Sequence, residues 1–135
     1  MEFHISFPGN KKVDASVNGM VIRTDQPVTQ GGDGTAPSPY LLFLASLGTC
    51  AGIYVLSFCK ERGIPTENVS LTQRLEYVTT AEGRSSLDKI VIDINVPPDF
   101  PEKYHNALIK VADQCAVKKT IMAPPAFEIK TVVQP

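Results

Sequence analysis

The chain predicts an α+β fold, βββ-α-ββ-α-β in order, with largely antiparallel pairing around a long buried helix. Three observations carry that expectation. Residues 38–59 form a 22-residue stretch without one charged side chain, the length of a long helix. Apolar and polar residues alternate across 3–23 and again across 68–96, with tight turn signals between the runs. Tyr104, Ala107, Leu108, Val111 and Cys115 then recur at i, i+3, i+4, i+7 and i+11, the stripe of an amphipathic helix. At 135 residues the chain is expected to form a single domain over 1–135, a size that buries roughly two-thirds of its unfolded surface.

Phe3, Ile5 and Phe7 alternate with polar residues, Pro8-Gly9-Asn10 turns the chain, and Val13, Ala15 and Val17 alternate again, which makes a first hairpin. Asn18-Gly19 is the strongest short turn signal because both central residues of a type I′ turn need positive φ, so residues 20–23 supply a third strand. Residues 24–37 are a connection rich in Pro, Gly and Gln. Ser38 can cap the long helix with Pro39 in its first turn, and Gly63 ends it. Residues 68–80 place Val69, Leu71, Leu75 and Tyr77 on one face of a strand. Glu82-Gly83-Arg84-Ser85-Ser86 turns it back, and residues 87–96 put Ile90, Ile92, Ile94 and Val96 on one face of its partner. Pro97-Pro98 stops that strand. Asp99 and Glu102 stand at capping-box spacing, so the second helix is expected from there, with Cys115 on its buried face. After Pro124-Pro125, residues 127–133 read as a last strand.

An uncharged run of this length also meets the criterion for a membrane span. Against that, small residues (Ala45, Ser46, Gly48, Thr49, Ala51, Gly52) cluster around Cys50, which suits a helix approached closely by other backbones. The N-terminus lacks the basic start and apolar core of a signal peptide, so a soluble, cytoplasmic protein without a membrane partner is expected. Thirteen basic and fourteen acidic residues give a net charge of −1. No basic block offers a footprint for nucleic acid, and a small neutral or apolar ligand is the expected partner. A helix apolar nearly all round needs more cover than six short strands and one helix provide, so a homodimer is expected.

Three cysteines at no metal-ligand spacing predict neither a metal site nor a disulfide scaffold. Cys50 and Cys59 are nine residues apart in one helix, about 13 Å of rise and half a turn out of phase, beyond the reach of a disulfide. Cys59 is read as structural. Helices of a small core pack about 8–10 Å apart, so the sequence allows a Cys50–Cys115 pair without requiring it. Burial makes a thiol a poorer nucleophile, and Cys50 lies too far past Ser38 for the start of its own helix to help. A cation from elsewhere is therefore expected to activate it, and the candidates are Arg23, Lys11 and Lys12, or Lys118 and Lys119. His4 and His105 cannot be tied to a cysteine by spacing. Gly31-Gly32-Asp33-Gly34 lacks the spacing of a phosphate-binding loop and reads as a flexible lead-in.

The lead-in GGDGTAPSPYLL, the cysteine of LGTC inside a long apolar helix, and the second cysteine in VADQCAV together resemble the OsmC/Ohr family over essentially the whole chain. That resemblance implies a thiol peroxidase of organic hydroperoxides, built as an intertwined homodimer with active sites at the subunit interface. It implies no metal or bound cofactor, and an external dithiol as reductant. Carried to matching positions, Cys50 is the attacking thiolate that forms a sulfenic acid, and Cys115 condenses with it to a disulfide. Tyr40 and Leu41 stand where active members have a glutamate, and are candidate pocket residues instead. Lys11, Lys12 and Arg23 stand near the place of the family's arginine, and Ala116 replaces a proline. The competing reading is a redox-sensing or hydrophobic-ligand-binding protein that has lost peroxidase activation. A thiol-dependent hydrolase or transferase is a third, without a visible base.

Overall fold

The computed structural model describes residues 1–135. It contains strands β1 (His4–Gly9), β2 (Lys12–Val17) and β3 (Met20–Thr24), helix α1 (Pro39–Glu61), strands β4 (Ser70–Thr79) and β5 (Ser85–Asn95), and helices α2 (His105–Ala112) and α3 (Ala116–Met122). The α+β class and antiparallel pairing are as the sequence predicts. The chain divides into two compact units, Met1–Ser46 and Leu47–Pro135.

In the first unit β1, β2 and β3 form an antiparallel meander, with Ile5, Ala15 and Ile22 in one cross-strand row. Asn18 and Gly19 both adopt positive φ, 49° and 75°, as the expected I′ turn requires. The connection that follows is tightly built, which corrects the expectation of a flexible lead-in. Its centre is Asp25, whose side chain is fully buried. Gln26 N–H donates to Asp25 Oδ1 at 2.7 Å, and Thr35 gives Oδ2 both its N–H at 3.0 Å and its hydroxyl at 2.7 Å. A buried carboxylate must have such donors to be tolerated at all. Gly32 packs so closely that a Cβ there would lie 1.9 Å from the Gln26 carbonyl oxygen. Gly32 is thus dictated by close packing, and Gly31 and Gly34 by positive φ, 87° and 65°.

Helix α1 begins as expected: Leu41 N–H donates to Ser38 Oγ at 3.2 Å, with Pro39 the first helical residue. It ends at Gly63, where Ile64 N–H reaches back to Cys59 O at 2.9 Å and Gly63 N–H to Lys60 O at 3.2 Å, a Schellman stop. The helix is long and apolar enough to cross a membrane, a test that core helices also pass.

In the second unit, β4 and β5 pair Leu71 with Ile94, Gln73 with Ile92 and Leu75 with Ile90, with a bulge beyond Glu76. Val55, Phe58 and Cys59 of α1 join Phe100 and Leu108 in the core. Gly48 lets Gln73 of β4 approach the helix, since a Cβ at Gly48 would lie 2.7 Å from Gln73 Oε1. The expectation of a helix buried by close backbones is corrected in the single chain: Gly48 admits a side chain, a Cβ at Gly52 would meet nothing within 4 Å, and Ala45 and Thr49 are exposed.

Three expectations are corrected. Asp99 does not cap the second helix: Pro101 intervenes, and a 3₁₀ turn over Glu102–Tyr104 leads into α2 without a side-chain cap. Cys115 is not on that helix. The chain leaves α2 at Ala112, crosses Asp113 and Gln114, and starts α3 after Cys115. The expected strand over 127–133 is absent, because alternation supplies a face but a strand exists only through a ladder, and none forms there.

Candidate active site

The second unit brings two of its thiols together. Cys50 lies mid-way along α1 and is half-buried, while Cys115 is 3 % exposed, and both are free thiols. Cys115 is the cap of α3: its sulfur accepts the Lys118 N–H at 3.3 Å. Its sulfur lies 3.9 Å from the Leu47 carbonyl oxygen, and its thiol donates to the sulfur of Cys50.

The start of α3 lowers the pKa of Cys50. The Val117 N–H holds its thiol below the ordinary value, the Cys115 thiol adds to this by donating a hydrogen bond, and the Ala116 N–H contributes further, against the opposing effect of burial. The first turn of any helix leaves amide N–H groups without helical acceptors. Here two of them serve a sulfur on another helix, and donors to the charged form favour that form. These donors are backbone amides, which carry no side-chain signal in the sequence. The clue was slight: Asp-Gln before Cys115, then a fresh run of helix formers. Periodicity carried the eye across that break.

Of the proposed cations, Lys12, Lys118 and Lys119 have partners of their own. Lys118 lends Cys115 its backbone amide while its ammonium pairs with Asp113, and Lys119 binds the Gln114 side chain at 2.7 Å. In the first unit Lys12 pairs with Asp33 and stands 4.0 Å from Asp25. Hydrogen bonding to Asp33 raises the Lys12 ammonium, and the same contact holds the Asp33 carboxyl low. The donors from Thr35, then Gln26 and Asp33, hold Asp25 far below the usual carboxylate range. Lys11 and Arg23 are exposed or nearly so in that unit, and Tyr40 and Leu41 are exposed on the first turn of α1. Cys59 is fully buried, and burial pushes its thiol up, opposed by nearby Arg62. A structural role is what such a thiol can perform.

Beside the thiols the second unit holds a cavity of about 790 Å³. Ile90 and Ile92 of β5, Leu108 of α2 and Ile121 of α3 give it apolar walls, Leu47 and Ala51 of α1 close one side, and Cys115 borders it while Cys50 does not. Lys89, Lys118, Asp88, Asp93 and Asp113 place charges of both signs around it. No group of three or more His, Cys, Asp or Glu residues is arranged to hold a metal ion.

Solved structures share the fold. An osmotic stress induced and detoxification response protein of Psychrobacter arcticus, so named provisionally, is 22 % identical with a TM-score of 0.65, over 87 % of this chain and 85 % of that one. An OsmC-like protein of Mycoplasma pneumoniae is 14 % identical with a TM-score of 0.63, over 92 % and 89 %. An organic hydroperoxide resistance protein of Legionella pneumophila is 20 % identical with a TM-score of 0.53, over 89 % and 87 %. At these identities the likeness establishes the fold. No curated protein matches the chain significantly. Residues 32–130 match the family described as OsmC-like protein, a span that includes both Cys50 and Cys115, and the chain therefore belongs to the OsmC-like protein family.

Proposed function

We propose that this protein is a cysteine-based peroxidase that reduces organic hydroperoxides. The observation that carries the reading is the half-buried Cys50 sulfur held by the Val117 and Ala116 amides and by the Cys115 thiol. The Cys50 thiolate attacks the outer oxygen of the hydroperoxide, the O–O bond breaks, and the alkoxide leaves and takes a proton to become an alcohol. Cys50 is then a sulfenic acid. The Cys115 thiol attacks that sulfur, water departs, and a Cys50–Cys115 disulfide remains. An external dithiol supplies two electrons and two protons to restore both thiols, and no bound metal or cofactor takes part. The amides are useful twice, first stabilising the attacking thiolate and later the same thiolate as it is released.

The working form is a cytoplasmic homodimer. Tyr40, Leu41, Phe43 and Ile53 on α1 are exposed in the single chain, as are Ile5 and Ile22 on the first sheet, and large apolar side chains left uncovered in this way are suited to an interface. On this reading α1 is a core helix of the dimer, not a membrane span. Names of related proteins that refer to hydroperoxide resistance accord with the proposed activity.

The test is turnover of cumene hydroperoxide and of hydrogen peroxide with dithiothreitol as donor, followed by intact-mass analysis. Faster turnover of the organic peroxide, a 2-Da loss in the wild type and a trapped Cys50 sulfenic acid in Cys115→Ser are expected. Equal, slow oxidation by both peroxides would instead favour the second reading, a hydrophobic-ligand-binding protein that uses the same cavity.

A further inference from the structure

Cys50 and Cys115 differ in what surrounds them. Cys50 is half-open and is the sulfur that receives the amide hydrogen bonds, whereas Cys115 is 3 % exposed and borders the apolar cavity that Cys50 does not touch. From this geometry we infer that the two halves of the cycle use separate approaches, with the reductant arriving through the cavity and attacking Cys115. The inference rests on the proposed Cys50–Cys115 disulfide.

In the reductive step a thiolate of the dithiol attacks Cys115 Sγ in line with the S–S bond. That bond breaks, Cys50 leaves as a thiolate, and the reductant is joined to Cys115 by a mixed disulfide. The reductant's second thiolate then attacks its own bound sulfur. Cys115 is released and takes a proton, and the reductant departs as an intramolecular disulfide, two electrons poorer. Thiol exchange is governed by access to the sulfur attacked and by the quality of the leaving thiolate: the cavity is the approach to the otherwise covered Cys115, and the leaving thiolate it selects is Cys50. The Val117 and Ala116 amides are in place to receive the thiolate on Cys50 as it is expelled. Cys115 has only the Lys118 amide, at 3.3 Å. The cavity is flanked by Leu108 and Ile121, so the thiol that reaches Cys115 has an apolar body. Its size, about 790 Å³, accommodates an aryl or medium-length alkyl thiol.

The experiment prepares the disulfide in parallel with cumene hydroperoxide and with diamide, treats each with benzenethiol, an apolar monothiol that cannot complete the second step, and traps with N-ethylmaleimide under acid quench. Peptide mapping is expected to find the benzenethiol adduct on Cys115 and maleimide on Cys50, by about tenfold or more over the reverse. Adduct on Cys50, or an even division, overturns the inference while leaving the peroxidase intact. A disulfide obtained with diamide but not with the hydroperoxide removes the peroxidase reading, and the diamide sample still decides the direction of attack. No disulfide with either oxidant overturns both. Ile109 borders the cavity and is 61 % exposed, so Ile109→Trp narrows it at a position that tolerates bulk. Adduct formation in that variant is expected to slow about tenfold, and an unchanged rate overturns entry through the cavity.

Discussion

Asp25 and Cys50 are two acidic groups held by the same material, backbone amides and one side-chain donor, and they end in opposite conditions. Asp25 is fully buried and saturated. Thr35 donates twice and Gln26 once, within 3.0 Å, and the carboxylate has no proton to exchange near neutrality. Cys50 is half-buried, with two amides and a thiol opposing its desolvation. Saturation makes a pin; partial satisfaction at a half-buried thiol suits the nucleophile of the proposed function. The number of donors matters less than whether the anion is permanent and whether a substrate can reach it.

Replacing each centre should separate these roles most strongly. Cys50→Ser is expected to lower peroxide turnover by about a thousandfold or more while leaving the melting temperature nearly unchanged, checked by steady-state kinetics and thermal melting together. Asp25→Asn should do the reverse. Each Asp25 oxygen faces an N–H donor, so the amide NH₂ must meet a donor and one bond becomes a repulsion. A fall in melting temperature on the order of 5–10 °C is expected, and an unchanged melt would show that the loop is held by something else.

Backbone packing gives a second contrast. Gly32→Ala brings a Cβ to 1.9 Å from the Gln26 carbonyl oxygen, a clash with main chain that only opening of the loop relieves, at a cost of ~2 kcal/mol or more. Gly48→Ala meets the far end of a flexible side chain, Gln73 Oε1 at 2.7 Å, and replaces glycine inside a helix, which by itself favours alanine by about 1 kcal/mol. The two effects nearly cancel, so denaturant unfolding should place Gly48→Ala within about 1 kcal/mol of wild type.

The acid limb of stability should be gentler. Asp25 and Asp33 both titrate below their ordinary range in the folded chain. The stability they contribute is complete above about pH 4, the unfolded carboxylate value, and is lost as pH falls through the lower folded values. Circular dichroism across that window should show Asp25→Asn with a flatter acid dependence than wild type.

Much of the fold was legible because its signals are local. Asn18-Gly19 can satisfy few turns other than I′, Ser38-Pro39 can start a helix, Gly63 can stop one, and the alternation through 68–96 gave the β4–β5 hairpin with its apolar face correctly assigned. What was not legible depends on distant partners or on the backbone. The spacing from Tyr104 to Cys115 is equally consistent with one helix or with two in succession, and only the chain's departure from α2 after Ala112 turns Cys115 into a cap. The same break presents the Ala116 and Val117 amides, which carry no side-chain signature. Nothing in the sequence sets Asp25 apart within its loop, because the donors that define it lie up to ten positions away. At 127–133 the alternating pattern was present and the ladder was not.

The most direct measurement of the central claim is the rate of Cys50 alkylation by iodoacetamide across pH, followed by peptide mapping, in wild type and in Cys115→Ala. The rate rises with the thiolate fraction, so donors that lower the Cys50 pKa must shift the midpoint below the ordinary thiol value of about 8.5, with a partial return upward in Cys115→Ala as one donor is lost. A wild-type midpoint at or above that value, or one unmoved by removing Cys115, would contradict the account.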